Sequence, residues 1–139
     1  MGLRYVVDTN IVSEIMRPQP HAQVQSQWQK HTPQIALASV TWHELLAGTH
    51  RLPLSTRRTA FEAFLLQLQQ MVTILPYDQA AAEWHAYERV RLTQAGRTPA
   101  FADAQIAATA AAHNLILVTR NTADFADFAG LTIENWFES

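Results

Sequence analysis

Five aspartates occur in 139 residues, and one of them, Asp8, stands where the apolar stretch Tyr5-Val6-Val7 gives way to Thr9-Asn10 and a helical pattern. Three further acids fall at comparable places. Glu44 lies in the first turn of a helix that follows the apolar run at 35–38. Asp103 lies in the first turn of a helix announced by Thr98-Pro99. Asp124 follows, with Asn121, the run at 115–118. Carboxylates gathered from distant points of a chain raise one another's pKa, and a hard divalent cation relieves that cost. Mg²⁺ and Mn²⁺ take carboxylate and water oxygens as ligands. Such ions lower the pKa of bound water and steady the charge on a phosphodiester during in-line attack. Metal-assisted hydrolysis of a phosphodiester is the chemistry these residue types could support together.

Each acid has a plainer reading. Asp8 could cap a helix beginning at Ile11. Glu44 stands three residues after Thr41, the spacing of a capping box. Asp103 could serve the dipole of an alanine-rich helix. Asp124 and Asp127 could be turn residues, and Asp127 is read so. The joint pattern favours a site, since independent caps have no reason to gather at one end of a sheet. Competing chemistries lack their residues. There is no cysteine, no Gly-x-Ser-x-Gly and no Walker loop. His43-Glu44 begins a zincin motif, but Ala47 occupies the place of its second histidine. Asp8-Thr9-Asn10 lacks the second aspartate of the haloacid-dehalogenase pattern. Lys30, the only lysine, is misplaced for a receiver domain.

The elements that must position these acids read as β-α-α-β-α-α-β-α-α-β-β. Strands are expected at 5–7, 35–38, 72–75, 115–118 and 131–133. Helices are expected at 11–16, stopped by Pro18 and Pro20, at 22–30, and from Thr41 towards Arg51. A further helix follows Ser55, with Phe61, Phe64, Leu65 and Leu68 at helical spacing. Another is capped by Asp78 and closed by Gly96, with Ala81, Trp84, Tyr87 and Val90 turned inward. The last spans 100–113, with Asn114 just beyond it. Strands separated by helices imply an α/β fold with a mostly parallel sheet covered on both faces. Ligands of such sheets bind at the carboxyl ends of the strands, where the acids fall. No repeat or linker divides the chain, so one domain over 1–139 is expected.

Composition bounds the rest. At 48% apolar and 16% charged residues the chain is globular. No apolar run reaches the roughly 18 residues of a membrane span, and the start does not read as a signal peptide. The cytoplasm is the expected location and no membrane partner is expected. The net charge of −2 gives no general affinity for nucleic acid, but nine of the ten basic residues are arginine, suited to phosphate. The helices around Phe61–Leu68 and Trp84–Tyr87 carry more large apolar residues than a small domain readily buries, which suggests self-association.

Five stretches, "VVDTNIVSEIMRPQP", "SVTWHELLAG", "DAQIAATA", "LVTRNTADF" and "GLTIENW", together resemble PIN-domain ribonucleases of the VapC and FitB type, the toxin halves of bacterial type II toxin–antitoxin pairs. The resemblance runs over nearly the whole chain in the family's order. It implies a three-layer α/β/α PIN fold and a Mg²⁺- or Mn²⁺-dependent endoribonuclease. It also implies a homodimer and a cognate antitoxin that blocks the site, with operator DNA reached only through the antitoxin. Asp8, Glu44 and Asp103 match the first three family acids. For the fourth, some relatives have Asp where this chain has Asn121, and others share the pattern in which Asp124 is the acid; Asp124 is favoured. The implied roles place the principal ion on Asp8 and Asp103, with Glu44 and Asp124 completing the pocket. Thr9, Asn10, Ser13 and Thr119 are candidates to fix carboxylate rotamers, with Asn121 nearby. Arg120 is a candidate contact for RNA phosphate or one half of an ion pair. Two alternatives stand beside this reading: a DNA-directed or structure-specific nuclease of the same fold, and a catalytically weak, antitoxin-bound, DNA-associated module that keeps its acids as caps.

Overall fold

The computed structural model describes residues 2–138; the first and last residues of the expected 1–139 domain lie outside them. Five parallel strands form the sheet: β1 (Tyr5–Val7), β2 (Ile35–Ala38), β3 (Thr73–Leu75), β4 (Ile116–Val118) and β5 (Ile133–Glu134), in the order β3-β2-β1-β4-β5. β1 lies at the centre, with Tyr5 opposite Ile35 on one side and Ile116 on the other.

Successive side chains of a strand point to opposite faces, and here both faces are buried. Tyr5, Val7, Ile35, Leu37 and Val118 enter one core with Ile11, Val12, Val24, Leu65 and Leu68. Val6, Ala36, Ala38 and Leu117 enter the other with Leu92, Ala104, Ile106, Ala107 and Ala110. The first core is covered by α1 (Thr9–Ile15), α2 (Ala22–His31), α3 (Ser39–His50) and α4 (Thr56–Met71). The second lies under α5 (Gln79–Gln94), α6 (Phe101–Ala112) and the short α7 (Thr122–Phe125). This is the expected three-layer α/β/α arrangement, with the sheet wholly parallel. The alanines of α6 let its backbone approach the sheet closely, so a helix apolar nearly all round becomes a buried one.

Punctuation follows local chemistry. Ser55 Oγ accepts the Arg58 N–H and Asp78 Oδ1 accepts the Ala81 N–H, capping α4 and α5. Gly96 (φ 77) and Asn114 (φ 56) take the left-handed conformation that closes α5 and α6.

Three expectations are corrected. α3 begins at Ser39, directly after β2, so Thr41 is inside the helix and Glu44 lies in its second turn; no capping box forms. The Thr41 hydroxyl is buried among the first-turn residues with no partner among the described residues. α5 turns Ala81, His85, Glu88 and Leu92 inward, while Tyr87 and Val90 stand 73% and 57% exposed. The apolar pattern misleads there because the inner face carries two polar side chains, Glu88 bonded to Arg91 and the Ala129 N–H and His85 bonded to Tyr77. The turn between β4 and β5 contains α7, which the loop-like sequence did not announce.

Candidate active site

β1 and β4 are neighbours, but the chain leaves them in different directions. From β1 it enters α1, whose Ile11 and Val12 pack on one face of the sheet. From β4 it enters α7, whose Phe125 packs on the other. Between the two departures lies the crevice at which α/β sheets take their ligands.

Asp8 stands at its floor, 7% exposed. Its backbone N–H continues the sheet by donating to Val118 O at 2.8 Å. Its Oδ1 accepts the Thr9 N–H at 2.8 Å, so Asp8 caps α1, which begins at Thr9 and not at Ile11. Its Oδ2 accepts the Thr119 hydroxyl at 2.9 Å and the Asn10 amide at 3.2 Å. Asn10 Oδ1 accepts the Arg120 N–H, and Thr119 Oγ1 accepts the Asn121 N–H, both at 3.1 Å. Asn10 and Thr119 therefore stitch the two strand ends together and fix the Asp8 rotamer. Fully buried Thr119 has little choice of position, which makes the orientation firm.

Two more carboxylates face the same space. Glu44, exposed on α3, accepts the Thr9 hydroxyl at 3.1 Å. Asp103 is half-buried in the first turn of α6. Asp8, Glu44 and Asp103 line one open cavity of about 520 Å³, together with Thr9, Asn10, Ser13, Arg120 and Asn121. Asp124, exposed on α7, faces a neighbouring cleft beside Arg97 and Pro99. Its charge still reaches Asp103. Burial first, then the charges of Asp8, Asp124 and Glu44, push the Asp103 carboxyl above the usual aspartate range. Among the described residues, no Lys, Arg or His forms an ion pair with Asp8, Glu44, Asp103 or Asp124.

Sequence reasoning missed Glu14, Arg17 and Phe137, which also line the cavity. Glu14 is 7% exposed, and its carboxyl accepts the His21 N–H at 2.8 Å and an Arg17 N–H at 3.4 Å. The His21 amide, with Arg17 helping, holds that carboxyl below the usual glutamate range. The helical spacing of Asn10 and Glu14 on α1 was a usable signal. Nothing in the local sequence announced Phe137, which arrives from the far end of the chain.

The donor set suits a hard cation. It offers carboxylate, amide and hydroxyl oxygens, and it leaves anionic charge uncompensated. Among the described residues no group of three His, Asp or Glu side chains is placed to hold a metal ion by itself. An open carboxylate pocket is what Mg²⁺ commonly uses, since it keeps several waters and needs only one or two carboxylates.

A wholly parallel sheet with three carboxylates lining one cavity over its switch point defines an α/β domain that is open at the strand carboxyl ends. Residues 5–131 match the PIN domain family model, and the chain belongs to that family. It is 32% identical over 135 residues to the tRNA(fMet)-specific endonuclease VapC of Shigella flexneri, covering 96% of this chain and 98% of that protein. The crystal structure of FitAcB from Neisseria gonorrhoeae superposes with a TM-score of 0.88 at 30% identity, covering 97% of this chain and 99% of that one. The DNA-bound VapBC structure from Salmonella typhimurium superposes with a TM-score of 0.86 at 25% identity, covering 96% and 98%.

Proposed function

We propose that this chain is the toxin of a type II toxin–antitoxin pair and a Mg²⁺- or Mn²⁺-dependent endoribonuclease. The observation that carries the reading is the uncompensated acidity of the crevice. Asp103 is pushed up by burial and three like charges, and among the described residues no basic side chain forms an ion pair with any of the four acids. Keeping acids in so costly an arrangement is expected where function needs them. Asp8 and Asp103 would hold the ion. A bound ion would supply charge neutralisation to the scissile phosphate and acidity to water. Asn10 and Thr119 keep the Asp8 oxygens aimed, and Thr9 steadies Glu44. Glu44 would orient the attacking water, and Asp124 would add negative charge from the neighbouring cleft. The similarity to a protein named as a tRNA endonuclease favours RNA as substrate.

The similarity to FitAcB and to DNA-bound VapBC favours an antitoxin as partner; operator DNA engaged only through that antitoxin is part of the same proposal. A homodimer is part of the same reading. Leu66 and Met71 on α4, and Tyr87 and Val90 on α5, remain exposed and would gain from cover. Sedimentation at micromolar concentration should show a species heavier than the 15.7 kDa chain. No helix among the described residues is long and apolar enough to cross a membrane, and action on cellular RNA agrees with a cytoplasmic site.

The test is cleavage of a structured RNA pool by chelator-treated protein, before and after adding Mg²⁺, beside matched single-stranded DNA. Metal-restored cleavage of RNA, abolished in Asp103→Asn, is expected. Cleavage confined to DNA would favour the DNA-directed nuclease, and cleavage of neither would leave the binding-module alternative.

A further inference from the structure

One wall of the acidic crevice is made by two residues with no acid between them. The Arg120 guanidinium lies over the Phe137 ring, 4.4 Å from its centroid, and both side chains line the cavity that holds Asp8 and Asp103. Arg120 is exposed and, among the described residues, makes no ion pair despite the carboxylates nearby. It is thus a cation held beside an acidic pocket without neutralising it.

Both halves of the pair are fixed from behind. The Arg120 N–H is held by Asn10 Oδ1, the same side chain that orients Asp8. The Phe137 N–H donates to Asn135 Oδ1 at 2.9 Å, and its ring packs 5.2 Å from that of His21. The Gln23 side chain donates to the Glu138 carbonyl, and Trp136 beside it is buried. Half-buried Phe137 therefore comes to the cavity wall on an anchored segment.

The Arg120 guanidinium, held against the Phe137 ring on an exposed side chain, is open to a ligand on its solvent side. Nucleobases stack on guanidinium planes as they do on aromatic rings, and the edges suit phosphate oxygens. We propose that Arg120, supported by Phe137, is a stacking platform for one unpaired nucleobase next to the phosphodiester that Asp8 and Asp103 receive. This deepens the nuclease reading and rests on it: the substrate class becomes RNA with an unpaired nucleotide at the cut. A base inside a duplex has no free face to offer and would be refused.

The test uses the full chain as Asp103→Asn in Mg²⁺, with a short single-stranded RNA in which each nucleotide in turn is made abasic. Affinity is read by anisotropy, and stacking by the quenching of 2-aminopurine placed at the sensitive position. One position should cost about fivefold to a hundredfold when its base is removed. Adding Phe137→Leu, which keeps apolar volume, or Arg120→Lys, which keeps charge, should flatten that dip and relieve the quenching. Arg120→Lys alters an exposed side chain, so it remains readable if Phe137→Leu fails to fold. A flat scan in the parent, a dip that survives Arg120→Lys, or equal affinity for the duplex overturns the platform. Wild-type cleavage of the same RNA is measured in parallel. Cleavage with a flat scan removes the platform and keeps the nuclease; a dip without metal-dependent cleavage does the reverse.

Discussion

Glu88 and Asp103 stand on adjoining helices, α5 and α6, and both are carboxylates drawn away from water, yet the protein treats them in opposite ways. Glu88, 2% exposed, is met on every side. Arg91 donates to both its oxygens, at 2.7 and 2.9 Å, and the Ala129 N–H adds a third bond at 2.7 Å. Arg91 also holds the Asp127 carbonyl at 2.8 Å, so the group clasps α5 to the chain beyond α7. The Arg91 bonds, aided by the Ala129 amide, hold the Glu88 carboxyl below its ordinary range. Asp103 meets no cation among the described residues and is pushed the other way. The difference separates two uses of buried charge. One acid is completed by the chain and supports the fold; the other is met by no cation among the described residues, as the proposed function requires.

The largest effect expected from this contrast is on activity. Asp103→Asn should lower Mg²⁺-dependent RNA cleavage by at least about a hundredfold, since even residues that merely orient a metal's ligands are worth up to that factor. The same substitution should raise the melting temperature of metal-free protein near neutral pH. The folded-state pKa of Asp103 is raised, so the fold favours its protonated form. The stabilisation that protonation confers is fully present below the unfolded value of 3.8 and is lost as pH rises through the folded value. At neutral pH the ionised group weighs on the fold, and Asn removes that weight. Melting curves in chelator, taken downward in pH, should show the advantage of the variant shrinking. A variant less stable than wild type at neutral pH would break the contrast.

Glu88 should behave as the mirror image. Glu88→Ala strands the Ala129 N–H and one face of Arg91, and should cost about 1–3 kcal/mol of unfolding free energy by urea titration. Arg91 is 39% exposed and recovers some hydration, which keeps the loss moderate. For Glu88→Gln the pH dependence is the sharper readout. The folded pKa is depressed, so the carboxylate's stabilisation is present above the unfolded value of 4.5 and lost as pH falls through the folded value. The gap between wild type and Glu88→Gln should therefore be widest near neutrality and close in acid. Cleavage per folded molecule should change far less than with Asp103→Asn.

The two regions were unequally legible in the sequence, and for one reason. Asp8 and Asp103 sit where a short apolar run ends or a helix has just begun, and Glu44 one turn further into its helix, so position along the chain carried the information. Glu88 sits in the middle of a helix whose apolar residues trace a different face. Its inward turn depends on Arg91 three residues away and on Ala129, forty-one residues away, which no periodicity reports. His85 is hidden likewise, since its partner Tyr77 lies before the helix begins. Phe137 reaches the crevice through tertiary contacts, with His21 and Gln23 among its anchors. The sheet order shows the same division. Strand-sized apolar runs could be read locally, whereas the placement of β1 between β2 and β4, which creates the crevice, is a property of the whole chain.

A smaller effect tests how firmly the crevice is built. Thr119→Val keeps shape at a fully buried position but removes the hydroxyl that holds Asp8 Oδ2 and receives the Asn121 N–H. Apparent Mg²⁺ affinity in the cleavage assay should fall about tenfold. Thr119→Ser restores the hydroxyl and should recover most of it. Equal loss in both variants would mean that packing of the methyl group, not orientation of Asp8, sets the affinity.

The smallest effect concerns His85, a buried base with neither a counter-charge nor an open cavity, and so intermediate between the two acids. Tyr77 lies 2.8 Å from its Nδ1, and its Nε2 has no partner among the described residues. Burial first, then the charge of Arg89, pulls the imidazole pKa below its ordinary value. The fold favours neutral His85, so its contribution is complete above the unfolded value of 6.5 and declines as pH falls towards the folded value. Tyr77→Phe removes the one hydrogen bond to the ring and should cost about 0.5–1.5 kcal/mol at pH 8. Replacing His85 by Gln should flatten the pH dependence of unfolding free energy between pH 8 and 5, whatever it does to the absolute stability. If the slope in that window survives the replacement, another group is titrating there and His85 is only a packing residue. If the slope disappears while metal-dependent cleavage per folded molecule is unchanged, His85 belongs with Glu88 on the side of the fold, and the unsatisfied charge of the molecule is confined to the crevice.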